Sequence, residues 1–282
     1  MNIKANRAIG VFDSGIGGLT VVRALMERLP GENIIYFGDT ARVPYGIKSV
    51  ETINRYAAQI TEFLIQKDVK LLIIACNTMA AVAYQTILDL SHVPVASVAS
   101  QKIVEPVPVL EVIDASARIA IHSTKNKSIG VIGTPATINS NAYTRAIHLL
   151  EKKAKVFSQA CPLFVPLVEE GWFDHAATRL IAQEYLGPVM AERVDTLVLG
   201  CTHYPLLKPL LQDIMGNSVT LVDSAQAMAD IAANLIDQQN IGNQNNSPPE
   251  YTFYVSDLPY RFQTIGERFL GRTLGHVELI SF

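Results

Sequence analysis

Short runs of apolar residues alternate with longer segments of helical periodicity along this chain. The runs are rich in isoleucine, valine and leucine, and they predict buried strands at residues 9–12, 33–37, 70–75, 93–98, 128–132, 154–158, 196–200, 219–222 and 251–255. Apolar residues at helical spacing predict helices at residues 20–29, 50–65, 140–151, 176–190, 225–235 and 259–270. Continuous apolar strands that alternate with helices are typical of parallel sheets covered on both faces, so the pattern predicts an α/β protein.

The two halves of the chain resemble each other. Cys76 and Cys201 each follow a predicted strand, and Val69 precedes the first thiol by the same interval as Val194 precedes the second. Upstream, residues 9–14 also resemble residues 129–134 in sequence, although the interval between these two segments differs from that between the cysteines. The pattern therefore predicts a duplicated unit in which each copy ends a strand with a thiol. Two thiols that face one pocket from opposite sides could move a proton from one face of a carbon to the other.

Length and composition narrow the class of protein. The chain has 282 residues, of which 49% are hydrophobic and 17% charged, so two domains with sizeable cores are expected. A net charge of −3 shows no basic excess for nucleic-acid binding. The apolar runs are too short to span a membrane, and the first residues lack the apolar core of a signal peptide. We therefore expect a cytoplasmic protein whose three cysteines are free thiols.

Two segments interrupt the alternation of strands and helices. Residues 101–127 contain Pro106 and Pro108, and this segment could link the halves. Residues 238–249 are polar and contain a Pro-Pro pair, which predicts a surface loop. The sequence alone leaves open whether the last strand and helix pack on the second half or return to the first.

Polar residues follow the first two predicted strands. Asp13 and Ser14 begin a glycine-rich loop, whose glycines could adopt positive φ and whose N–H groups could form a nest for a carboxylate. A tight strand-to-helix turn without a ligand is the alternative. After the second strand, Pro44, Tyr45 and Gly46 could hold a second carboxylate or form only a turn.

The two matched cysteines carry the strongest indication of chemistry. A cysteine at the start of a helix lies at the positive end of the helix dipole, which lowers the thiol pKa and predicts an acid/base role for Cys76 and Cys201. A single cysteine after a strand is more often a small buried apolar residue, but two at matched positions favour function. Cys161, next to a proline and apolar residues, is expected to be structural. Glu169 is a candidate pocket carboxylate, whereas Glu170 is expected to be solvated.

Other chemistries lack their sequence patterns. The six histidines are scattered, without His-Glu-x-x-His or Cys-x-x-Cys spacing, so no metal site is expected. The Gly-x-Ser-x-Gly turn of serine hydrolases is absent. No motif calls for pyridoxal phosphate, flavin or nicotinamide, so no cofactor is expected.

Taken together, these loops resemble the glutamate racemases of the aspartate/glutamate racemase family, which use no cofactor and supply D-glutamate for peptidoglycan. The resemblance extends from residue 9 to about residue 271. The motifs that carry it are VFDSGIGGLT at 11–20, YFGDT at 36–40, VPYG at 43–46, ACNT at 75–78, CPL at 161–163, LVE at 167–169 and LGCTHYP at 199–205.

This resemblance implies two similar parallel-sheet αβα domains with the active site in the cleft between them. The chain would cross between them, so that residues 1–97 and 210–282 form the first domain and residues 98–209 the second. Cys76 would take the proton from D-glutamate and Cys201 would return one to the other face, with the roles reversed for L-glutamate.

The resemblance also implies helpers for the thiols and a substrate-binding set. Asp13 and His203 would assist the thiols, and Glu169 is a candidate helper near Cys201. The residues that would bind the substrate are Asp13, Ser14, Pro44, Tyr45, Gly46, Asn77, Thr78, Thr134, Thr202 and His203.

Two alternatives to glutamate racemisation stay open. The first is a related two-thiol racemase that acts on aspartate or another amino acid, and the second is an amino-acid-binding protein without catalysis. All three hypotheses expect a small-molecule partner rather than a nucleic acid or a membrane. A homodimer is suggested only by the resemblance.

Overall fold

A computed structural model describes residues 5–92, 106–245 and 247–282. Its strands are β1 (Ile9–Asp13), β2 (Ile34–Gly38), β3 (Leu71–Ile74), β4 (Val109–Glu111), β5 (Ser128–Gly133), β6 (Lys155–Ala160), β7 (Thr196–Gly200), β8 (Thr220–Val222), β9 (Tyr251–Val255) and β10 (Val277–Leu279). Its helices are α1 (Leu19–Arg28), α2 (Val50–Gln66), α3 (Asn77–His92), α4 (Val112–Ser123), α5 (Pro135–Asn139), α6 (Ala142–Leu150), α7 (Phe164–Glu169), α8 (Ala176–Ala191), α9 (Lys208–Met215), α10 (Ala225–Gln239) and α11 (Pro259–Leu270).

The described part of the chain forms two sheets. The first has six strands in the order β10-β9-β2-β1-β3-β4, and the second has four in the order β6-β5-β7-β8. All paired strands run parallel. The predicted α/β fold with two parallel sheets is confirmed.

Burial explains why the central strands lack polar alternation. Every residue of β1, β3 and β7 is buried, since each strand lies between two others and helices cover the faces of the sheet. Several helices begin at a side chain that accepts backbone N–H groups. Ser49 caps α2, and Glu111 caps α4 by accepting from Ile113 and Asp114.

The chain crosses from the first sheet to the second and back. After β8, β9 returns to pair with β2, and β10 pairs with β9. Two strands fall on the other side of the boundaries that the resemblance implied. β4 pairs with β3, where the N–H of Leu72 donates to the carbonyl of Pro108, and β8 pairs with β7. The division into residues 1–97 with 210–282 and residues 98–209 stays a prediction, and these pairings place its crossings after β4 and after β8.

The sequence pattern was wrong in one segment, and it predicted neither β10 nor the helices α3, α5, α7 and α9. Residues 106–127 are not only a link, because they contain β4 and α4; Pro106 and Pro108 precede the strand rather than interrupt it. α3 was not predicted, since small or polar residues such as Ala80, Ala83 and Ser91 make up much of its buried face instead of a stripe of large apolar residues. The predicted strand at residues 93–98 lies outside the described residues.

No helix among the described residues is both long and apolar enough to cross a membrane.

Candidate active site

The carboxyl ends of the central strands of both sheets border one cavity. Cys76 follows β3 and Cys201 follows β7, and both thiols line the cavity, which has a volume of about 360 Å³. This is the edge at which open parallel sheets bind ligands, and the volume suits a small molecule. The sequence-predicted residues that line it are Ser14, Pro44, Tyr45, Gly46, Cys76, Asn77, Thr78, Thr134, Glu169, Cys201, Thr202 and His203.

Sequence reasoning missed the apolar part of this wall. The further lining residues are Val43, Ile47, Pro135, Pro162, Val165 and Pro166. Val43 and Pro162 lie within the quoted motifs and the other four lie near the predicted site residues, but polar chemistry gave no reason to choose any of these side chains. They leave little for water to bind on this side of the cavity.

The thiol of Cys76 lies in a surrounding that disfavours its charge. It is 4% exposed, and its sulfur accepts the backbone N–H of Met79 at 3.5 Å at the start of α3. Burial and the nearby carboxylate of Asp13 raise the pKa of Cys76 to about 12, although hydrogen bonds from Met79 and Ser14 act against this. The expectation that the helix start lowers this pKa is therefore wrong, because desolvation outweighs the helix dipole.

The thiol of Cys201 has a histidine beside it instead of an α-helix. A short 3-10 turn at Tyr204–Leu207 follows, so the helix-dipole argument does not apply here. The sulfur lies 3.9 Å from Nδ1 of His203, and Nε2 of the same ring lies 3.1 Å from Oε1 of Glu169. These three side chains form a chain of contacts that ends at the sulfur.

Opposing effects set the charge on this histidine. Burial alone would lower the pKa of His203, but the hydrogen bonds to Cys201 and Glu169 outweigh it and raise the pKa to about 10. Burial also opposes the charge on Glu169, and the bond to His203 nevertheless lowers the pKa of that carboxyl. The arrangement favours an imidazolium paired with a carboxylate, which places a positive charge next to the sulfur of Cys201.

Asp13 does not line the cavity, unlike the rest of the predicted set. Its carboxylate is 1% exposed and accepts the N–H of Gly15 at 3.1 Å and the hydroxyl of Thr202 at 3.5 Å. Burial raises its pKa, although His203 and the loop N–H groups lower it. The N–H groups predicted to hold a ligand thus bind the protein's own carboxylate.

Glycines in two loops allow the halves to approach closely. A Cβ on Gly17 would lie 2.2 Å from Oγ1 of Thr202, and one on Gly46 would lie 2.5 Å from Cβ of Thr134. Positive φ among the described glycines occurs at Gly171, Gly216 and Gly271, so the expectation of positive φ in the first loop is wrong. Lack of a side chain, rather than backbone freedom, is what these positions require.

The hydroxyl of Tyr45 is engaged behind the cavity. It donates to the carboxylate of Asp39, which also accepts from Arg42 Nε and, at 2.7 Å, from Ser256 Oγ. The hydroxyl therefore anchors the loop that carries Tyr45, and the role of Tyr45 in substrate binding stays a prediction. Its ring still lines the cavity.

Asn77 and a group of threonines join the two halves. Thr78 Oγ1 lies 3.0 Å from Thr134 Oγ1 and 3.3 Å from Thr137 Oγ1, so hydroxyls from both sheets meet here. Nδ2 of Asn77 is buried and meets no hydrogen-bond partner among the described residues. Thr137 was missed by sequence reasoning, since nothing near it in the sequence indicates a contact with Thr78.

Comparison with known proteins finds relatives that all point to one family. A profile described as Asp/Glu/Hydantoin racemase matches residues 9–232. Proteins named glutamate racemase are 67% identical over 273 residues in Syntrophus aciditrophicus strain SB, covering 97% of this chain and 96% of the relative, and 56% identical over 280 residues in Neisseria meningitidis Z2491, covering 99% and 98%.

A solved structure is similar over nearly the whole chain. The crystal structure of glutamate racemase from Francisella tularensis in complex with D-glutamate has a TM-score of 0.88 and 42% identity, covering 98% of each chain. Profile, sequence identity and fold therefore agree: the chain belongs to the Asp/Glu/Hydantoin racemase family.

Proposed function

We propose that this protein interconverts L-glutamate and D-glutamate by proton transfer at the α-carbon, with Cys76 and Cys201 as the two acid/base groups. The observation that carries the proposal is that both thiols, one from each sheet, line a single cavity. The relatives named glutamate racemase support glutamate as the substrate. D-glutamate made in this way would supply peptidoglycan synthesis in the cytoplasm.

The reaction begins with one thiolate and one thiol. With D-glutamate, the Cys76 thiolate takes the α-proton, and the electron pair of the broken C–H bond stays on the substrate as a carbanion. Cys201 then donates its proton to the opposite face, which leaves it as the thiolate. The reverse sequence acts on L-glutamate, so atoms and charges balance in both directions.

The barrier is high because an amino-acid α-proton is a very weak acid. Proximity and preorganised donors must therefore supply much of the stabilisation of the carbanion. Asn77, Thr78, Thr134 and Thr202, together with Ser14, are the polar groups available to hold the substrate's charged ends. The apolar part of the wall excludes water and strengthens these interactions.

The neighbours of each thiol suggest two unlike helpers. The imidazolium of His203, held by Glu169, places a positive charge beside the sulfur of Cys201. Asp13, by contrast, opposes a thiolate on Cys76 and so favours return of the proton to substrate. We propose that Asp13, Glu169 and His203 set the acid/base behaviour of the thiols in this way. The loop of Pro44, Tyr45 and Gly46 would cover the substrate in the cavity.

Incubation of the purified protein with L-glutamate in heavy water, without added cofactor, tests the proposal. Loss of the α-proton signal together with formation of D-glutamate is the expected result. The variants Cys76→Ser and Cys201→Ser should lose at least about a hundredfold of this activity, whereas Cys161→Ser is the matched control. Cys161 is buried with its sulfur 3.6 Å from the carbonyl of Gln159, and it does not line the cavity.

The same assay separates the alternatives. Turnover of L-aspartate but not of L-glutamate would indicate the related two-thiol racemase. Binding of D-glutamate without exchange of the α-proton would indicate a binding protein. Either result would contradict glutamate racemisation.

A further inference from the structure

Tyr143 on α6 lies between the two thiol-bearing segments. Its side chain is 2% exposed, and its ring packs so closely on the strand before Cys201 that a Cβ on Gly200 would lie 2.9 Å from Cε2. Its hydroxyl reaches the other half of the molecule and lies 2.5 Å from Oδ1 of Asn77, the residue after Cys76. A single buried side chain therefore contacts both segments without lining the cavity.

The distances around the Tyr143 hydroxyl show which group donates and which accepts in each hydrogen bond. Ser116 donates its proton to the carbonyl of Val112 at 2.7 Å and lies 3.4 Å from the Tyr143 oxygen. The short contact to Asn77 is within the range of an O–H···O bond and shorter than a normal N–H···O bond. Tyr143 therefore donates to the amide oxygen of Asn77, and the amide nitrogen must point away from it.

That nitrogen is the atom left for a ligand. Asn77 is 2% exposed and lines the cavity, and its Nδ2 meets no hydrogen-bond partner among the described residues. Burying two N–H donors without acceptors is costly, so the site gains when a ligand supplies an oxygen. A carboxylate oxygen or the developing enolate oxygen of an amino acid fits this requirement.

We propose that Tyr143 is a positioning residue, which holds the Asn77 amide with its N–H groups directed at the substrate. The inference rests on the proposed function, because it assigns the amide to an amino-acid substrate. Tyr143 itself touches no substrate. Since the Tyr143 ring packs against Gly200 of β7 in the second sheet and Asn77 follows a strand of the first, the amide is held in place only when the two halves are together.

A double-mutant cycle of Tyr143→Phe and Asn77→Ala tests this role. Phenylalanine keeps the ring on Gly200 and removes only the hydroxyl. We expect Tyr143→Phe to raise KM for glutamate about tenfold, and Asn77→Ala to lower kcat/KM between about tenfold and a hundredfold. In the Asn77→Ala background, Tyr143→Phe should change KM less than about twofold. Independent, multiplying effects would overturn the inference, because they would mean that the hydroxyl acts on something other than this amide.

Ser116→Ala is the matched control. It removes the other hydroxyl near Tyr143 while leaving the bond to Asn77 intact, so KM should stay within about twofold of the wild type. Asn77→Asp is a second test that does not depend on folding of the tyrosine variant. The carboxylate of Asp can still accept from Tyr143 but offers no N–H group, so D-glutamate binding should be lost; undiminished binding would contradict the assignment of the amide.

Calorimetric titration of D-glutamate into the same variants separates this inference from the proposed function. Wild-type protein that binds D-glutamate without turnover would refute racemisation. The double-mutant cycle measured as D-glutamate affinity would still decide the role of Tyr143. Wild-type turnover with independent effects of the two substitutions would refute the role of Tyr143 alone. Absence of both binding and turnover would overturn both.

Discussion

The imidazole of His203 bridges Cys201 and Glu169, with Nε2 at 3.1 Å from the carboxylate oxygen of Glu169. The ring is also held edge-on against Phe269, with ring centroids 5.3 Å apart. Because Glu169 comes from α7 and Phe269 from α11, two elements far apart in the sequence fix the orientation of one ring. The positive charge next to the Cys201 thiol therefore depends on the contact between His203 and Glu169. A substitution of Glu169 removes this contact without changing Cys201.

Replacing Glu169 by Gln should lower the pKa of His203. The wild-type pKa is raised to about 10, and the carboxylate is one of the two groups that raise it against burial. Titration of the imidazole nitrogens by NMR would measure the shift. Glu170→Gln is the matched control, since Glu170 is exposed and should leave the histidine unchanged. Equal titration curves for wild type and Glu169→Gln would contradict the assignment.

The same substitution should change how stability depends on pH. A histidine whose pKa is raised on folding stabilises the fold fully below its unfolded pKa of 6.5, and this contribution is lost as the pH rises to about 10. The free energy of unfolding that Glu169→Gln removes should therefore be larger at pH 6.5 than at pH 10. Urea denaturation at both pH values measures it, and a pH-independent difference would argue against a charged His203.

Alkylation of Cys76 by iodoacetamide should require high pH. The thiolate is the reactive form, and the pKa of Cys76 is raised to about 12, so the rate should rise about tenfold per pH unit through the neutral range and beyond pH 9. Peptide mapping by mass spectrometry would follow this thiol, with free glutathione as the reference. A plateau near the ordinary thiol pKa of about 8.5 would show that burial and Asp13 do not raise it.

Introducing a methyl group at Gly17 should disturb the contact between the halves. The new Cβ of Gly17→Ala would lie 2.2 Å from Oγ1 of Thr202 and 2.6 Å from Nδ1 of His203, so the loops must separate. We expect a loss of about 1–3 kcal/mol in the free energy of unfolding and a lower kcat/KM. Gly187→Ala is the control, because nothing lies within 4 Å of that Cβ inside α8 and alanine favours a helix. Equal stability and activity of the two variants would refute the clash.

Local pattern was enough to predict most of the strands and both thiols. The continuous apolar sequences of β1, β3 and β7 are enough to predict that these strands are buried. The polar residues that follow them lie at one edge of the sheet because the strands run parallel. α3 was missed because much of its buried face consists of alanine, serine, threonine and asparagine, which form no clear apolar stripe in the sequence.

Contacts between distant segments could not be predicted in this way. Thr202 donates to Asp13, and Tyr143 donates to Asn77, across the interface of the two halves. Neither partner's neighbours in the sequence specify the other. The pKa of Cys76 was misjudged for the same reason, since the helix start is local whereas burial and the Asp13 carboxylate arise only in the assembled fold.

The path of the chain has a consequence for synthesis of the protein. The second sheet is complete once β8 has been made, whereas the first must wait for β9 and β10, which supply its edge beside β2. During translation the half that contains the second sheet can therefore finish folding before the half that begins the chain. Until the last part of the chain leaves the ribosome, β2 presents an unpaired edge, and His203 beside the Cys201 thiol lacks its contact with Phe269 of α11.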